Sequence, residues 1–314
     1  MLSEKINIIA IVGSTASGKT RLSLDIARKF NGEIVSADSM QIYREFEIST
    51  AKPTKIELSE VKHYLIDTIS VKDEFSVADY VKIAKKSISE IDSNGKMPIL
   101  VGGTGLYIDS LINNVEFNEE KVDKTLREQL WQEVKDNGPE SLINELKIVD
   151  KESAENIHPN NYKKLIRAVE FYRTTGTPIS KQVEDSKKTE SLYNAKIVGL
   201  GFRDRNILYN RINKRVDEMV ENGLIEEAKQ IYKMNPSKTA RGAIGYKEVV
   251  LYLRGLFTLK EAINKIKMET RRYAKRQITW FKRNKSIKWF YVDDYNDYDS
   301  LLIDVAEYLE KDRY

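Results

Sequence analysis

Short apolar runs recur through the first hundred residues and once more near residue 200. The first is Ile6–Val12, and others follow at Gly32–Ser36, His63–Asp67, Met97–Val101 and Lys196–Phe202. Runs of this kind, rich in Ile, Val and Leu, are typical of strands that are buried on both faces of a parallel sheet. We therefore predict a strand at each run.

Segments with helical spacing of apolar residues separate these strands. Leu22–Ala27 follows the first strand, and Ser76–Ile91, with Ser76 in a capping position, precedes the strand at Met97–Val101. Strands that alternate with helices predict an α/β fold in which helices flank a parallel sheet. In such sheets, ligands bind beyond the carboxyl ends of the strands.

Between about residues 115 and 195 the patterns are helical only. Helices are predicted at Val122–Val134, Glu140–Leu146 and Asn160–Tyr172, the last of them ending near Gly176. We therefore predict a helical lobe at residues 115–195, inserted into a core domain made of residues 1–114 and 196–314. One face of the last predicted helix is basic, with Lys163, Lys164, Arg167 and Arg173.

A glycine-rich segment joins the first strand to the first helix. It has the spacing G-x-x-x-x-G-K-[ST] and consists of Gly13, Ser14, Thr15, Ala16, Ser17, Gly18, Lys19 and Thr20. In such a P-loop, backbone N–H groups surround a diphosphate, the lysine neutralises its outer oxygens, and the final hydroxyl is offered to Mg²⁺. The dipole of the following helix also favours an anion. The motif predicts a P-loop NTPase-like sheet that binds a diphosphate or a nucleotide such as ATP.

Two other polar residues follow predicted strands. Asp38 comes after Gly32–Ser36 and is expected to face the P-loop. A P-loop kinase often has an aspartate at the end of a strand such as Met97–Val101, but here Gly102–Gly105 follows. We expect these glycines to let the backbone approach a ligand, with the Thr104 hydroxyl as a contact to the reacting group. The alternative is a glycine turn with a capping threonine.

The composition excludes several classes of site. The chain has 314 residues, of which 41% are hydrophobic, with no cysteine and two histidines. Disulfides and thiolate metal sites are therefore excluded. No apolar run approaches the roughly 18 residues of a membrane span, so we expect a cytoplasmic protein that does not contact a membrane.

The net charge of +4 conceals a strong asymmetry along the chain. Residues 203–288 contain 22 Lys and Arg against nine Asp and Glu, whereas residues 291–314 contain two basic and eight acidic residues. We predict a polyanion-binding face whose end is closed by a separate small acidic element. The alternative is a helix with a solvated charged face.

Two features of the basic tract indicate which anions it binds. Arg211 and Arg215 lie four residues apart and share one helix face, as a diphosphate clamp requires. Glu269–Arg283 interleaves basic residues with Tyr273 and two other aromatic residues, a pattern that suits the phosphates and unstacked bases of RNA. Part of that aromatic set is also compatible with a core position.

Together, these stretches closely resemble the bacterial-type tRNA dimethylallyltransferases, also called tRNA isopentenyltransferases. The resemblance covers about Ile8 to Arg283, with matching motifs at Gly13–Thr20, Ser36–Arg44, Thr50–Pro53, Gly102–Tyr107, Ile244–Lys247 and Lys275–Phe281. Two departures are small. Ser14 stands where the family usually has proline, and Glu45–Ser49 is more acidic and poorer in glycine than the family pattern.

The resemblance implies a prenyltransferase. It would move a dimethylallyl group from dimethylallyl diphosphate to the exocyclic N6 amine of the adenosine 3′ of the tRNA anticodon, and release diphosphate. Asp38 would be the general base, Thr104 a contact to the reacting centre, and Arg215, with Arg211 second, the diphosphate clamp. Thr20 would bind Mg²⁺ as the metal cofactor.

The resemblance also implies a tRNA interface. We expect the protein to bind the anticodon stem-loop as a monomer. The residues expected along the tRNA are Asp38, Ser39, Met40, Gln41, Thr104, Arg127, Lys163, Lys164, Leu165, Ile166, Arg167, Gly242, Ala243, Ile244, Gly245, Tyr246, Lys247, Arg272 and Arg276.

Three other functions compete with this one. An ATP-dependent small-molecule kinase would use the same P-loop but would not need the basic tract. A prenyltransferase for free adenine nucleotides would differ in the size of its acceptor. A non-catalytic RNA-binding module would not explain why Asp38 and Thr104 follow predicted strands near the P-loop.

Overall fold

The computed structural model describes residues 5–115, 117 and 124–311. The chain divides into two compact units, one made of Met1–Ile112 with Leu192–Tyr314 and the other of Asn113–Ser191. The predicted boundaries at residues 114 and 196 lie a few residues from these. The predicted start of a helix at Val122 falls outside the described residues.

The first unit is built on a six-stranded, all-parallel sheet with the order β3-β2-β4-β1-β5-β6. The strands are β1 (Ile6–Gly13), β2 (Gly32–Ser36), β3 (His63–Tyr64), β4 (Met97–Gly102), β5 (Tyr193–Gly201) and β6 (Ile287–Tyr291). The apolar strand β1 lies at the centre, where Ile9 pairs with Ile99 on one side and Lys196 on the other. The predicted parallel α/β fold is therefore confirmed.

Helices connect the strands and form the second unit. In chain order they are α1 (Lys19–Lys29), α2 (Lys55–Glu60), α3 (Val77–Ser93), α4 (Gly105–Ile112), α5 (Lys124–Asn137), α6 (Glu140–Val149), α7 (Lys151–Asn156), α8 (Tyr162–Thr175), α9 (Ile179–Lys188), α10 (Arg205–Glu221), α11 (Leu224–Lys233), α12 (Tyr246–Leu253), α13 (Leu259–Phe281) and α14 (Tyr298–Glu310). Short 3-10 turns lie at Ala240–Gly242 and Val292–Asp294. Ser76 caps α3 in a capping box with Asp79, as the sequence predicts.

The described part of the acidic segment, residues 291–311, belongs to the main core, which corrects the prediction of a separate acidic element. Strand β6 pairs with β5 at the sheet edge, and α14 packs Leu301, Val305 and Leu309 into the same apolar cluster as Ile9 and Ile11 of β1. The acidic side chains lie on the remaining faces of α14, so a count of charges along the chain hides its apolar stripe. Strand β6 was not predicted. Its first two residues belong to the segment 203–288, which the sequence analysis interpreted by its positive charge alone.

The third strand is shorter than predicted. It contains only His63 and Tyr64, because Leu65 and Asp67 adopt left-handed backbone conformations with φ of 64° and 54°. These conformations are incompatible with an extended strand. The chain instead turns toward Lys52, whose ammonium group binds the Asp67 carboxylate and the Tyr43 carbonyl oxygen.

The second unit, Asn113–Ser191, has an apolar core of its own. Leu130 of α5, Leu142 and Leu146 of α6, and Leu165 and Val169 of α8 are buried together. Helix α8 ends at Gly176, whose φ of 69° gives the left-handed cap that the sequence predicts. Among the described residues of both units, no helix is long and apolar enough to cross a membrane.

Candidate active site

The P-loop turns at the carboxyl end of β1, beside β5. Gly18 has a φ of 98° and precedes α1, whose first residues are Lys19 and Thr20. The Lys19 ammonium group donates a hydrogen bond of 2.6 Å to the Ser14 carbonyl oxygen, so its side chain lies across its own loop. The hydroxyl oxygens of Ser14 and Ser17 are buried and make no hydrogen bond.

A cavity of about 310 Å³ opens beside the P-loop, within the first unit. This volume suits a small-molecule ligand. Predicted site residues that line it are Thr15, Lys19, Thr20, Asp38, Ser39, Met40, Gln41, Arg215, Gly242, Ala243, Ile244, Gly245, Lys247 and Arg276. The sheet order brings the P-loop and the Asp38–Gln41 loop together, because β1 and β2 both end at this edge on either side of β4. The other lining residues come from α10, α12, α13 and the segment before α12.

Two cations meet at one end of the cavity. Burial and the nearby charge of Arg215 lower the pKa of Lys19 to about 8, and Asp38 only partly offsets these effects. Burial also lowers the pKa of Arg215, again with an opposing contribution from Asp38. Two cations that are strained in this way gain stability when an anion enters. Arg211, the other predicted clamp residue, lies outside the lining and donates a hydrogen bond of 2.9 Å to the Ala16 carbonyl oxygen.

Asp38 and Thr104 are linked through a short loop after β2. One carboxylate oxygen of Asp38 accepts hydrogen bonds from the N–H groups of Met40 (2.9 Å) and Gln41 (3.3 Å). The Thr104 hydroxyl oxygen accepts a hydrogen bond of 3.1 Å from the Ser39 N–H. Thr104 is absent from the cavity lining. Its hydrogen bond with the Ser39 N–H holds the Asp38 loop against the turn after β4.

The glycines of that turn accommodate protein groups, and Gly102 and Gly103 also line the cavity, so their approach to a ligand stays a prediction. A Cβ atom at Gly103 would clash with the side-chain amide of Gln277, and one at Gly105 with the indole of Trp280. Trp280 also donates a hydrogen bond of 2.6 Å to the Asp109 carboxylate. The turn is therefore a packing site for α13.

Gln277 is a site residue whose role the sequence analysis missed. Its buried side chain accepts a hydrogen bond of 2.9 Å from the Thr15 N–H and donates one of 3.0 Å to the Gly103 carbonyl oxygen. It thereby joins the P-loop to the turn after β4. The only sequence signal is its place in the Lys275–Phe281 motif.

The cavity also has an apolar wall, which was not predicted. Ile212, Val216 and Met219 lie on α10 at spacings of four and three residues, and Leu224 and Ile266 extend the wall. Helical spacing places the first three residues on one side of α10, next to Arg215. Their periodicity is visible in the sequence, but the cavity that they face is formed only in the fold.

The aromatic residues of the basic tract differ in their surroundings. Tyr273 lines the cavity, and burial together with the charge of Asp38 raises its pKa. Phe281 is buried in the core, so it is not available to stack on a base. Arg272 forms an ion pair with Glu269, and the guanidinium of Arg276 lies 5.8 Å from the Tyr273 ring centroid.

The loop Glu45–Ser49, where the sequence departs from the family pattern, has a specific anchor. The Glu227 carboxylate of α11 accepts hydrogen bonds from the N–H groups of Glu47 (2.8 Å), Ile48 (2.6 Å) and Ser49 (3.0 Å). Nearby, Gln41 and Arg215 both donate to the Ala51 carbonyl oxygen, at 3.5 Å each. Ser49 and Thr50 then form part of the cavity wall.

The predicted tRNA contacts of the second unit fall into two groups. Lys163, Lys164 and Arg167 are exposed on α8, whereas Leu165 and Ile166 are core side chains. Arg127 of α5 forms an ion pair of 2.6 Å with the buried Glu170 of α8. Arg173 is likewise paired with Glu145. The basic face of α8 therefore has fewer unpaired cations than its sequence indicates.

The parallel sheet, the glycine-rich loop after its central strand and the two cations beside that loop define a P-loop-like α/β protein. The sequence model of the IPP transferase family matches residues 41–284. The chain belongs to the IPP transferase family, the tRNA isopentenyltransferases.

Named relatives match this chain over nearly its whole length. A tRNA dimethylallyltransferase of Thermoanaerobacter pseudethanolicus is 50% identical over 97% of this chain and 98% of its own. The crystal structure of a tRNA isopentenylpyrophosphate transferase from Bacillus halodurans is 42% identical, with a TM-score of 0.73 over 97% of this chain and 96% of that one. A structure of a eukaryotic dimethylallyltransferase acting on tRNA is 27% identical, with a TM-score of 0.82 over 98% of this chain and 80% of that one.

Proposed function

We propose that this protein transfers a dimethylallyl group from dimethylallyl diphosphate to the exocyclic N6 amine of the adenosine 3′ of a tRNA anticodon, and releases diphosphate. The observation that carries the proposal is that the P-loop, two cations, an apolar wall and the Asp38 carboxylate all line a single cavity. Family membership and the tRNA dimethylallyltransferase relatives support the same reaction.

The lining of this cavity, the donor cavity, contains groups that match both parts of the donor. Lys19 and Arg215 bind the diphosphate, while Ile212, Val216 and Met219 contact the branched hydrocarbon. The ribose of a nucleoside triphosphate would have to leave its hydroxyls against this apolar wall without hydrogen bonds, which is costly. We therefore expect ATP to bind through its phosphates as an inhibitor, with no turnover.

The transfer step follows from the same arrangement. The adenine amine attacks the first carbon of the dimethylallyl group, the bond from that carbon to the diphosphate oxygen breaks, and the amine proton passes to Asp38. Charge accumulates on the departing diphosphate, so Lys19 and Arg215 stabilise the transition state more than the ground state. The adenine has to leave the anticodon stack to reach the cavity, at a cost of a few kcal/mol.

Thr20 fits a role as a ligand to Mg²⁺. Its side chain lines the cavity next to Lys19, and no described group of three or more His, Asp or Glu side chains is arranged as a metal site. Mg²⁺ commonly takes few protein ligands and is held largely by phosphate oxygens and water. When bound, the ion would neutralise charge on the diphosphate.

The exposed residues Lys163 and Lys164, together with the Gly242–Lys247 loop, are proposed as tRNA contacts. The donor cavity is complete within one chain, so a monomer suffices for the reaction. Because its acceptor is tRNA, we place the reaction in the cytoplasm.

One assay distinguishes this function from its competitors. The protein is incubated with labelled dimethylallyl diphosphate and Mg²⁺ together with tRNA, AMP or no acceptor, and the label is followed into the acceptor. We expect labelled tRNA only. Labelled AMP would indicate a prenyltransferase for free nucleotides, and ATP turnover without any labelled acceptor would favour a kinase.

A further inference from the structure

A second cavity lies within the first unit, next to the donor cavity. It has a volume of about 460 Å³ and is formed by α11, the loop after it and α12. The residues that matter for its chemistry are Tyr232, Asn235, Arg241, Tyr246, Lys247 and Arg254. Lys247 lines both cavities.

The two arginines of this second cavity are not neutralised by a carboxylate among the described residues, whereas Lys247 is paired with Glu248 at 3.6 Å. Arg241 donates hydrogen bonds to the Pro236 carbonyl oxygen (2.8 Å) and the Asn235 side-chain oxygen (2.6 Å), which are neutral acceptors that orient the guanidinium without neutralising it. Neither Arg241 nor Arg254 forms an ion pair with a described residue, although both are exposed. By contrast, Arg203 pairs with Asp294 elsewhere in the unit.

Aromatic rings accompany these cations. The Tyr232 side chain is 40% exposed at the rim, and the Arg254 guanidinium lies 5.8 Å from its ring centroid. Tyr246 is 4% exposed and forms a buried part of the wall. An exposed ring beside unpaired arginines is the arrangement that proteins use to stack a nucleobase and bind its phosphates.

We propose that this second cavity binds a nucleotide of single-stranded RNA next to the adenosine that enters the donor cavity. Arg241 and Arg254 would bind backbone phosphates, and Tyr232 would stack on a base. The inference rests on the proposed function, because the RNA strand is placed by the shared wall at Lys247. The second cavity lacks an apolar wall like that of the first, so it does not suit the prenyl donor.

The test uses the full-length protein with Arg241→Gln, Arg254→Gln and their combination. Dissociation constants for tRNA are measured at several salt concentrations, and the KM for dimethylallyl diphosphate is measured with saturating tRNA. Each substitution should weaken tRNA binding about tenfold and lower the salt slope by about one. The KM for the donor should not change. Tyr232→Ala should weaken tRNA binding about tenfold, whereas Tyr232→Phe should retain the affinity.

Lys29→Gln is the matched control. Lys29 lies at the end of α1 away from the P-loop and pairs with Glu310, so its replacement removes one charge far from both cavities. An equal loss of tRNA affinity in this control would overturn the proposal, because the effect would then be one of overall charge. Unchanged tRNA affinity and salt slope in the arginine variants would also overturn it.

A free nucleotide is the alternative ligand. Saturable AMP binding that is lost in Arg254→Gln while tRNA affinity stays unchanged would assign the second cavity to a small molecule and overturn the proposal. The reaction itself is tested separately. If the wild-type protein fails to label tRNA but the arginine variants still lower tRNA affinity, the proposed reaction fails and the RNA-binding cavity stands.

Discussion

At the scale of single residues, the donor cavity combines groups that would be unfavourable without a ligand. Burial and the charge of Arg215 lower the pKa of Lys19, and the negative charge of Asp38 offsets only part of this effect. The Ser14 and Ser17 hydroxyls are buried without a hydrogen bond. Unsatisfied polar groups of this kind are typical of functional sites, where binding of the ligand offsets the cost.

The lowered pKa of Lys19 predicts a pH dependence of donor binding. A diphosphate favours the charged form of Lys19, so binding above pH 8 requires the uptake of a proton. The affinity for diphosphate should therefore fall as the pH rises from 8 toward the ordinary lysine pKa of 10.5. Calorimetry in buffers of different ionisation enthalpy measures both the affinity and the proton uptake.

Lys19→Met provides the control for this pH dependence. The variant should bind diphosphate more weakly at pH 7.5 and lose the dependence between about pH 8 and 10, because no other group in the P-loop titrates there. A pH profile identical to that of the wild type would assign the proton to another residue.

The geometry of Asp38 suggests Asp38→Asn as the test of the general base. Asparagine retains a side-chain oxygen that accepts from the N–H groups of Met40 and Gln41, so the loop is preserved while the basic carboxylate is removed. We expect the single-turnover transfer rate with saturating tRNA to fall by about 10² to 10⁴. The affinity for tRNA should stay within several-fold, and a rate near that of the wild type would reject Asp38 as the base.

At the scale of secondary structure, α13 joins the parts of the donor cavity. Its Thr258–Glu261 capping box fixes the start of a 23-residue helix. The second half of that helix carries Tyr273 and Gln277 to the cavity and the P-loop. The same face packs Trp280 against Gly105. The tract that was read as an RNA-binding face is therefore also a structural support of the donor site.

Gln277→Met tests this support. Methionine preserves the length of the side chain but leaves the Thr15 N–H and the Gly103 carbonyl oxygen without partners. Each loss costs about 1–3 kcal/mol, and the P-loop is expected to lose its geometry. The KM for dimethylallyl diphosphate should rise about tenfold or more in steady-state assays, while the dissociation constant for tRNA changes less.

Gln230→Met on α11 is the control, because Gln230 is exposed and outside the cavity lining. Its kinetics should match those of the wild type. If Gln277→Met lowers the melting temperature without changing the donor KM, Gln277 contributes to stability alone.

The elements differ in how far the sequence predicts them. The P-loop and β1 could be predicted because their signals are contiguous, and the motif has a fixed meaning between a strand and a helix. The role of Gln277 could not be predicted, because it depends on how α13 packs against a turn that lies more than 170 residues earlier in the chain. The short strand β6 and the apolar stripe of α14 were obscured because charge was counted along the chain without regard to helix faces.

At the scale of the whole molecule, part of the positive charge of the basic tract is paired with carboxylates. Several basic residues of the tract 203–288 are paired with carboxylates, among them Arg203 with Asp294, Lys267 with Asp217, and Arg272 with Glu269. The arginines of the second cavity are not paired with any described residue. Other basic residues of the tract, among them Lys282, Lys285 and Lys288, are exposed and form no ion pair with a described residue, so they also stay available to a polyanion.

This distribution predicts different salt dependences for the two substrates. Binding of tRNA releases counterions from its phosphates, so the logarithm of its affinity should fall linearly with the logarithm of salt concentration, by about 0.7 to 0.9 per phosphate contact. In the proposed function the donor diphosphate contacts Lys19 and Arg215 in a partly buried cavity, where added salt screens much less effectively than at the surface. Titrations with tRNA and with diphosphate over the same salt series should give a clearly steeper slope for tRNA. Equal slopes would contradict a phosphate-binding surface outside the donor cavity, because only such a surface gives tRNA the additional contacts.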